Sequence, residues 1–163
     1  MAPSTFELGL TRLWYLVGDW HGTGSGEDFE VQASARFEWT LDDHFIAGFI
    51  ELRDVGSDQV LSTDHVYLYY SREESGVVGV FFANDGLVER SLGPVDAVGR
   101  FVMTSSRLEC VPFSFPRSQL RRTFQLVDPN EWSYMVEMDT GKGLLPYVTV
   151  QMRRKTPLKG SES

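Results

Sequence analysis

Polar and apolar residues alternate along most of the chain, most clearly where Phe29, Val31, Ala33, Ala35, Phe37, Trp39 and Leu41 interleave with Glu30, Gln32, Ser34, Arg36, Glu38 and Thr40. A period of two sends successive side chains to opposite faces of a strand, so this segment has one dry face and one wet face. Before it the pattern is helical. Ser4 and Glu7 have the spacing of a capping box and lead into Leu8, Leu10, Leu13, Trp14, Leu16 and Val17, with Gly18 as the stop. Turn signals then recur at hairpin spacing: Asp42-Asp43, Asp54 to Asp58, Glu73 to Gly76, Asn84 to Gly86, Gly93-Pro94, Asp128 to Glu131 and Thr140 to Gly143. They predict strands near 19–26, 29–41, 45–53, 59–71, 77–83, 87–92, 100–106, 118–127, 132–139 and 145–154.

Short turns between consecutive strands make an antiparallel meander, whereas a parallel sheet would need apolar runs on both faces and long helical crossovers. A sheet of about ten strands curls, and closing it removes the exposed edges. The expected fold is therefore all-β: an antiparallel up-and-down β-barrel with a short N-terminal helix capping one end. One domain spans 1–163, with its core over 5–155 and a flexible tail at 156–163. Glu109 to Pro116 is the irregular stretch, because Pro112 and Pro116 donate no ladder hydrogen bond.

Composition narrows the function. With 163 residues, 42% apolar and 13% aromatic, the chain has enough buriable surface for one compact domain and is not disordered. A lone cysteine, Cys110, excludes an intramolecular disulfide and a cysteine-rich zinc site, and its neighbours Leu108, Val111 and Phe113 predict an inert, buried thiol. Met1 to Thr5 carries no basic segment, and the longest apolar stretches, Phe45 to Ile50 and Val77 to Ala83, fall far below membrane-spanning length. The expectation is a soluble, cytoplasmic protein with no membrane partner. A formal charge of −8 opposes a phosphate backbone, and only Arg117, Arg121, Arg122, Arg153, Arg154 and Lys155 form a basic grouping, so no nucleic-acid partner is expected.

A barrel of this size is wider than an eight-stranded one, so a lumen is expected. Its lining would include Phe37, Trp39, Phe124, Trp132 and Tyr134, with Ala33, Ala35 and Gly48 leaving volume unfilled. These aromatics either fill the core or wall a ligand cavity, and composition leaves both readings open.

The segment Gly18-Asp19-Trp20-His21-Gly22-Thr23-Gly24-Ser25-Gly26 has the form GxWxGxGxG. It resembles the opening of nitrobindin-like proteins, and its GxW part is shared with lipocalins across the calycin superfamily. The likeness continues through Leu41-Asp42-Asp43-His44-Phe45-Ile46 and a closing run from Arg122-Thr123-Phe124 through Trp132-Ser133-Tyr134 to the strand ending at Arg154. Independently of it, Gly22, Gly24 and Gly26 clear one face of the strand for close approach by a neighbour, and Trp20 plugs one end of the barrel. The resemblance implies that a last-strand arginine, Arg153 or Arg154, packs across Trp20 as a cation–π contact. It also implies haem b held by a histidine of the final strand, with conversion of peroxynitrite to nitrate. At that position this chain has Tyr147, preceded by Pro146. Phenolate ligates iron in some haem proteins, but the alternation of Val148, Val150 and Met152 turns Tyr147 outward unless a bulge at Pro146 reverses it.

Three histidines are present. His21 reads as a strand-surface residue and His44 as part of a hairpin turn, and His65 is the other candidate haem contact by resemblance. Its neighbour Asp64 points to the opposite face of a strand and cannot orient it. No recognised metal spacing or covalent-catalysis motif occurs. The leading expectation is binding of a small, largely hydrophobic molecule in the lumen. The alternatives are a haem-dependent peroxynitrite isomerase with Tyr147 as axial ligand, and a cofactor-free isomerase or cyclase that requires Asp64, Tyr134 or Arg122 to converge inside the barrel. Oligomerisation is compatible with the sequence and not specified by it.

Overall fold

The computed structural model describes residues 9–160. Ten strands follow one another: β1 (Gly18–Ser25), β2 (Glu30–Thr40), β3 (Phe45–Asp54), β4 (Val60–Ser71), β5 (Gly76–Ala83), β6 (Val88–Gly93), β7 (Arg100–Glu109), β8 (Gln119–Asp128), β9 (Glu131–Asp139) and β10 (Leu144–Arg154). Each pairs antiparallel with its neighbours in the chain, and β10 pairs with β1 to close the barrel. Every expected strand is present, with ends displaced by no more than three residues. The irregular stretch separates β7 from β8. At the N-terminal side a short helix ends at residue 11 and a 3₁₀ turn follows at Trp14–Leu16. The Ser4–Glu7 capping box lies outside the described residues. Among these residues no helix is long and apolar enough to cross a membrane.

The two-residue period sorts the side chains. On β2, Val31, Ala33, Ala35 and Phe37 are buried while Gln32 and Glu38 face water. One end of the barrel is solid. Trp20 meets Trp132 edge-on at 5.7 Å, Phe37 and Phe124 pack on Trp132 at 6.2 and 5.7 Å, and Phe101 stacks on Phe124 at 6.0 Å. Leu13, Tyr15 and Leu16 seal this base from outside, with the Tyr15 hydroxyl donating to the Gly99 carbonyl at 2.6 Å. Trp14, part of the apolar series of the expected N-terminal helix, is 44% exposed.

Arg154, and not Arg153, crosses Trp20. Its guanidinium lies 4.2 Å from the indole centre, Nη1 donates to the Val17 carbonyl at 2.7 Å, and the strand register sets Trp20 opposite Arg154. Alternation explains the choice: Arg154 shares the inward phase of Val150 and Met152, while Arg153 faces water 3.9 Å from Glu131. Gly18 makes room for it, since its φ of +135° suits glycine and an added Cβ would sit 2.3 Å from Arg154 Nη1. On β1, added Cβ atoms at Gly22 and Gly24 would lie 2.2 and 2.1 Å from the carbonyl oxygens of Gln151 and Thr149. The glycine pattern therefore serves close approach of β10. Cys110 departs from expectation: it is exposed, in the left-handed region at φ 56°, because it opens the loop after β7 instead of continuing the strand.

Arg154→Gln should lower the unfolding free energy by about 2 kcal/mol, through lost cation–π and charge-assisted bonds. Arg153→Gln should change it by less than about 0.5 kcal/mol. Urea midpoints at unchanged m-value measure both.

Candidate functional site

Above the aromatic base the inward-facing positions carry charge. Asp64 on β4, Glu89 and Ser91 on β6 and Arg122 on β8 are all buried, in phase with apolar neighbours such as Val66, Leu120 and Phe124. Arg122 Nε donates to Glu89 Oε2 at 2.9 Å and its Nη2 to Glu89 Oε1 at 3.0 Å. Its Nη1 donates to Asp64 Oδ2 at 3.0 Å and to the Tyr134 hydroxyl oxygen. Ser91 donates to Glu89 Oε2 at 2.7 Å, and the guanidinium lies 4.0 Å from the centre of the Phe81 ring.

A charge removed from water must be paired and hydrogen-bonded to persist. Burial alone would lower the Arg122 pKa, but the charge of Glu89, with Tyr134 and Asp64, holds it well above its ordinary value. The same burial raises the Tyr134 phenol, which stays protonated. Two carboxyl groups, those of Glu89 and Asp64, face the one guanidinium.

The cluster forms the inner end of a cavity of about 100 Å³ that opens at the end of the barrel opposite Trp20. Asp64, Arg122 and Tyr134 line it from within, and Ile50, Leu52, Leu120, Val136 and Val148 give it apolar walls. Asp85, Phe115, Arg117 and Tyr147 form the mouth. Tyr147 reaches it because pairing steps from Pro146–Glu137 to Val148–Val136, leaving Tyr147 as the extra residue of a β-bulge. Its ring sits 5.4 Å from Phe29 and 6.2 Å from Phe115. Burial raises its phenol pKa, partly opposed by the nearby charge of Arg117. The Arg117 side chain, in the loop between β7 and β8, is 7% exposed, pairs through Nη2 with Asp85 and lies 5.2 Å from the Phe115 ring. Its Nε has no hydrogen-bond partner among the described residues. Among the described residues Trp132 Nε1, in the base, is the other buried side-chain nitrogen without one.

The structure thus brings together Asp64, Tyr134 and Arg122, each a candidate polar group for a lumenal chemistry. Of the aromatics expected to wall a cavity, Tyr134 alone reaches it. Phe37, Phe124 and Trp132 fill the base, and half-buried Trp39 packs against the core near the β2 end. His65 lies on the outer face 6.2 Å from Phe49, and His21 and His44 are also exposed. No three histidine, cysteine, aspartate or glutamate side chains gather as metal ligands among the described residues. The basic grouping disperses: Arg121 pairs with Glu137 at 2.6 Å on the outer wall, Arg122 is internal, and Arg154 is spent on Trp20. Sequence reading passed over Glu89 and Ser91, and treated Arg117 only as part of that grouping. The available signal was a charged residue in the inward phase of an otherwise apolar face.

A family model described as a THAP4-like, heme-binding beta-barrel domain matches residues 9–154. The crystal structure of Rv2717c from M. tuberculosis is similar at a TM-score of 0.78, covering 90% of this chain and 97% of that one. At 23% identity that likeness speaks to the fold alone. None of the curated proteins matches the chain.

Removing one partner of the buried cluster strands a charge. Glu89→Gln should destabilise the barrel by about 3 kcal/mol or more, whereas Asp64→Asn, at the solvent-facing edge of the cluster, should have a smaller effect. Chemical denaturation of the two variants side by side checks the order.

Proposed function

The chain belongs to the THAP4-like, heme-binding beta-barrel domain family, and on that premise we propose that it is a binding module taking a small, largely apolar ligand into the open-end cavity. One observation carries this: the lumen is packed solid around Trp132 yet left open above Arg122, with hydrocarbon walls and a polar inner end. Apolar walls favour transfer of ligand surface out of water at roughly 25 cal/mol per Å². Asp64 and Tyr134 supply polar groups that fix orientation.

The residues around the cavity do not fit a histidine-held haem. No imidazole faces inward, because His21, His44 and His65 are all on the surface. The inner end is charged. The cavity's 100 Å³ is well below the roughly 300 Å³ at which sites for drug-sized ligands begin. Tyr147 is the one phenol at the mouth, and burial favours its protonated form over the phenolate that iron requires.

A second reading, haem on Tyr147 with conversion of peroxynitrite to nitrate, rests on the bulge that turns this residue toward the cavity. A cofactor-free isomerase or cyclase draws support from the meeting of Asp64, Tyr134 and Arg122. Arg122 and Glu89 spend their hydrogen-bonding groups on each other and on their neighbours, which favours positioning over proton transfer.

Hemin titration and native mass spectrometry separate these readings. Protein isolated from its own host should carry a small bound mass that is lost on filling the cavity with Val148→Phe, and hemin should give no Tyr147-dependent Soret shift. A shift present in the wild type and lost in Tyr147→Phe would replace this reading with the haem one.

A further inference from the structure

We propose that the cavity takes short aliphatic alcohols, and that Asp64 at its inner end is the residue that recognises the hydroxyl. The inference rests on the ligand-binding reading above and adds the ligand's head group. Asp64 shares the inward phase of Val66 and Leu68 on β4 and lines the cavity, so what remains accessible of its side chain faces the lumen. That side chain keeps 11% of its surface accessible, against 5% for Arg122 and 0% for Glu89, which makes it the most open member of the buried ion pairs. Arg122 Nη1 engages its Oδ2 at 3.0 Å and leaves Oδ1 to accept from a guest. Tyr134, a second lining residue, accepts from the same nitrogen through its hydroxyl oxygen and keeps its own hydrogen, because burial holds the phenol protonated.

An acceptor beside a donor matches a hydroxyl, which gives one hydrogen and takes another. Other head groups fit this end less well. A carboxylate would bring a third carboxyl group to a guanidinium already committed through Nε, Nη1 and Nη2 to Glu89, Asp64 and Tyr134. An ammonium loses its hydration on entry and carries three N–H donors, more than Asp64 and Tyr134 can pair between hydrocarbon walls. An ether gives Asp64 no hydrogen, and the carboxyl oxygen would lose water without a replacement. The alkyl part of an alcohol lies between Ile50, Leu52, Leu120, Val136 and Val148. A volume of about 100 Å³ keeps it short, since a cavity of about 150 Å³ holds benzene.

The test titrates the full chain with 1-butanol, its isomer methyl propyl ether, butyrate and butylamine, while following the methyl resonances of Leu120, Val136 and Val148. The alcohol should shift these methyls and bind at least about tenfold more tightly than each of the other three. Asp64→Asn reverses the polarity of the contact: the amide turns its oxygen to Arg122 and its NH2 to the cavity, so an acceptor becomes a donor. That variant should bind the alcohol and the ether alike. Equal binding of the four probes by the wild-type protein, or preference for any probe but the alcohol, would overturn hydroxyl recognition while leaving a ligand-binding cavity in place. An undiminished preference in Asp64→Asn would overturn the assignment to Asp64. Absence of any methyl shift with all four would overturn the cavity reading as well. Where Asp64→Asn does not fold, the preference of the wild-type protein among the four probes decides alone.

Discussion

A guanidinium buried inside a β-barrel organises this molecule. Arg122 cannot sit there alone, because an unpaired charge away from water is far more unfavourable than the stability of a domain allows. Glu89 meets it with two oxygens, Asp64 and Tyr134 take the remaining prong, Ser91 fixes Glu89, and the Phe81 ring covers the flat face. These groups come from β4, β5, β6, β8 and β9, so the cluster fixes the relation of five strands at once. It also divides the lumen. Below it aromatic rings pack against one another, and above it that packing gives way to a cavity of about 100 Å³.

The two ends of the barrel therefore do different work. At the base, Trp20 and Arg154 tie the first strand to the last, and the 3₁₀ turn closes over them through the Val17 carbonyl and the Trp20 Nε1 bond of 2.7 Å to the Leu16 carbonyl. Residues here act on stability. At the mouth, a bulge and a proline-flanked loop bring Tyr147 and Arg117 to the opening, and their polar groups are not consumed by the fold in the same way. The family to which the chain belongs is described as a heme-binding beta-barrel domain. In this particular chain every histidine lies on the outside of the barrel.

Much of the architecture was legible in the sequence because alternation and turn chemistry are local. The run from Phe29 to Leu41 announced a strand with one dry face, and Trp20 with Gly22 and Gly24 announced a plugged end with closely approaching strands. What stayed hidden depends on register. Arg122 meets Glu89 and Asp64 across sequence separations of 33 and 58 residues, distances no local pattern spans. Choosing Arg154 over Arg153 required knowing which phase of β10 faces inward. Tyr147 gave an ambiguous signal, since the same residue points in or out according to a bulge that Pro146 permits without dictating. Cys110 looked buried from its apolar neighbours, but it stands at the first position after β7, in a left-handed backbone conformation that turns it to solvent.

The division of the lumen is the claim on which the functional account stands. Crystals of the protein equilibrated under xenon pressure test it most directly, because xenon occupies dry apolar volume and is easily located. The account predicts xenon between Ile50, Leu120, Val136 and Val148 and none among Trp20, Phe124 and Trp132. Xenon lodged in the aromatic base, with the open end empty, would contradict it.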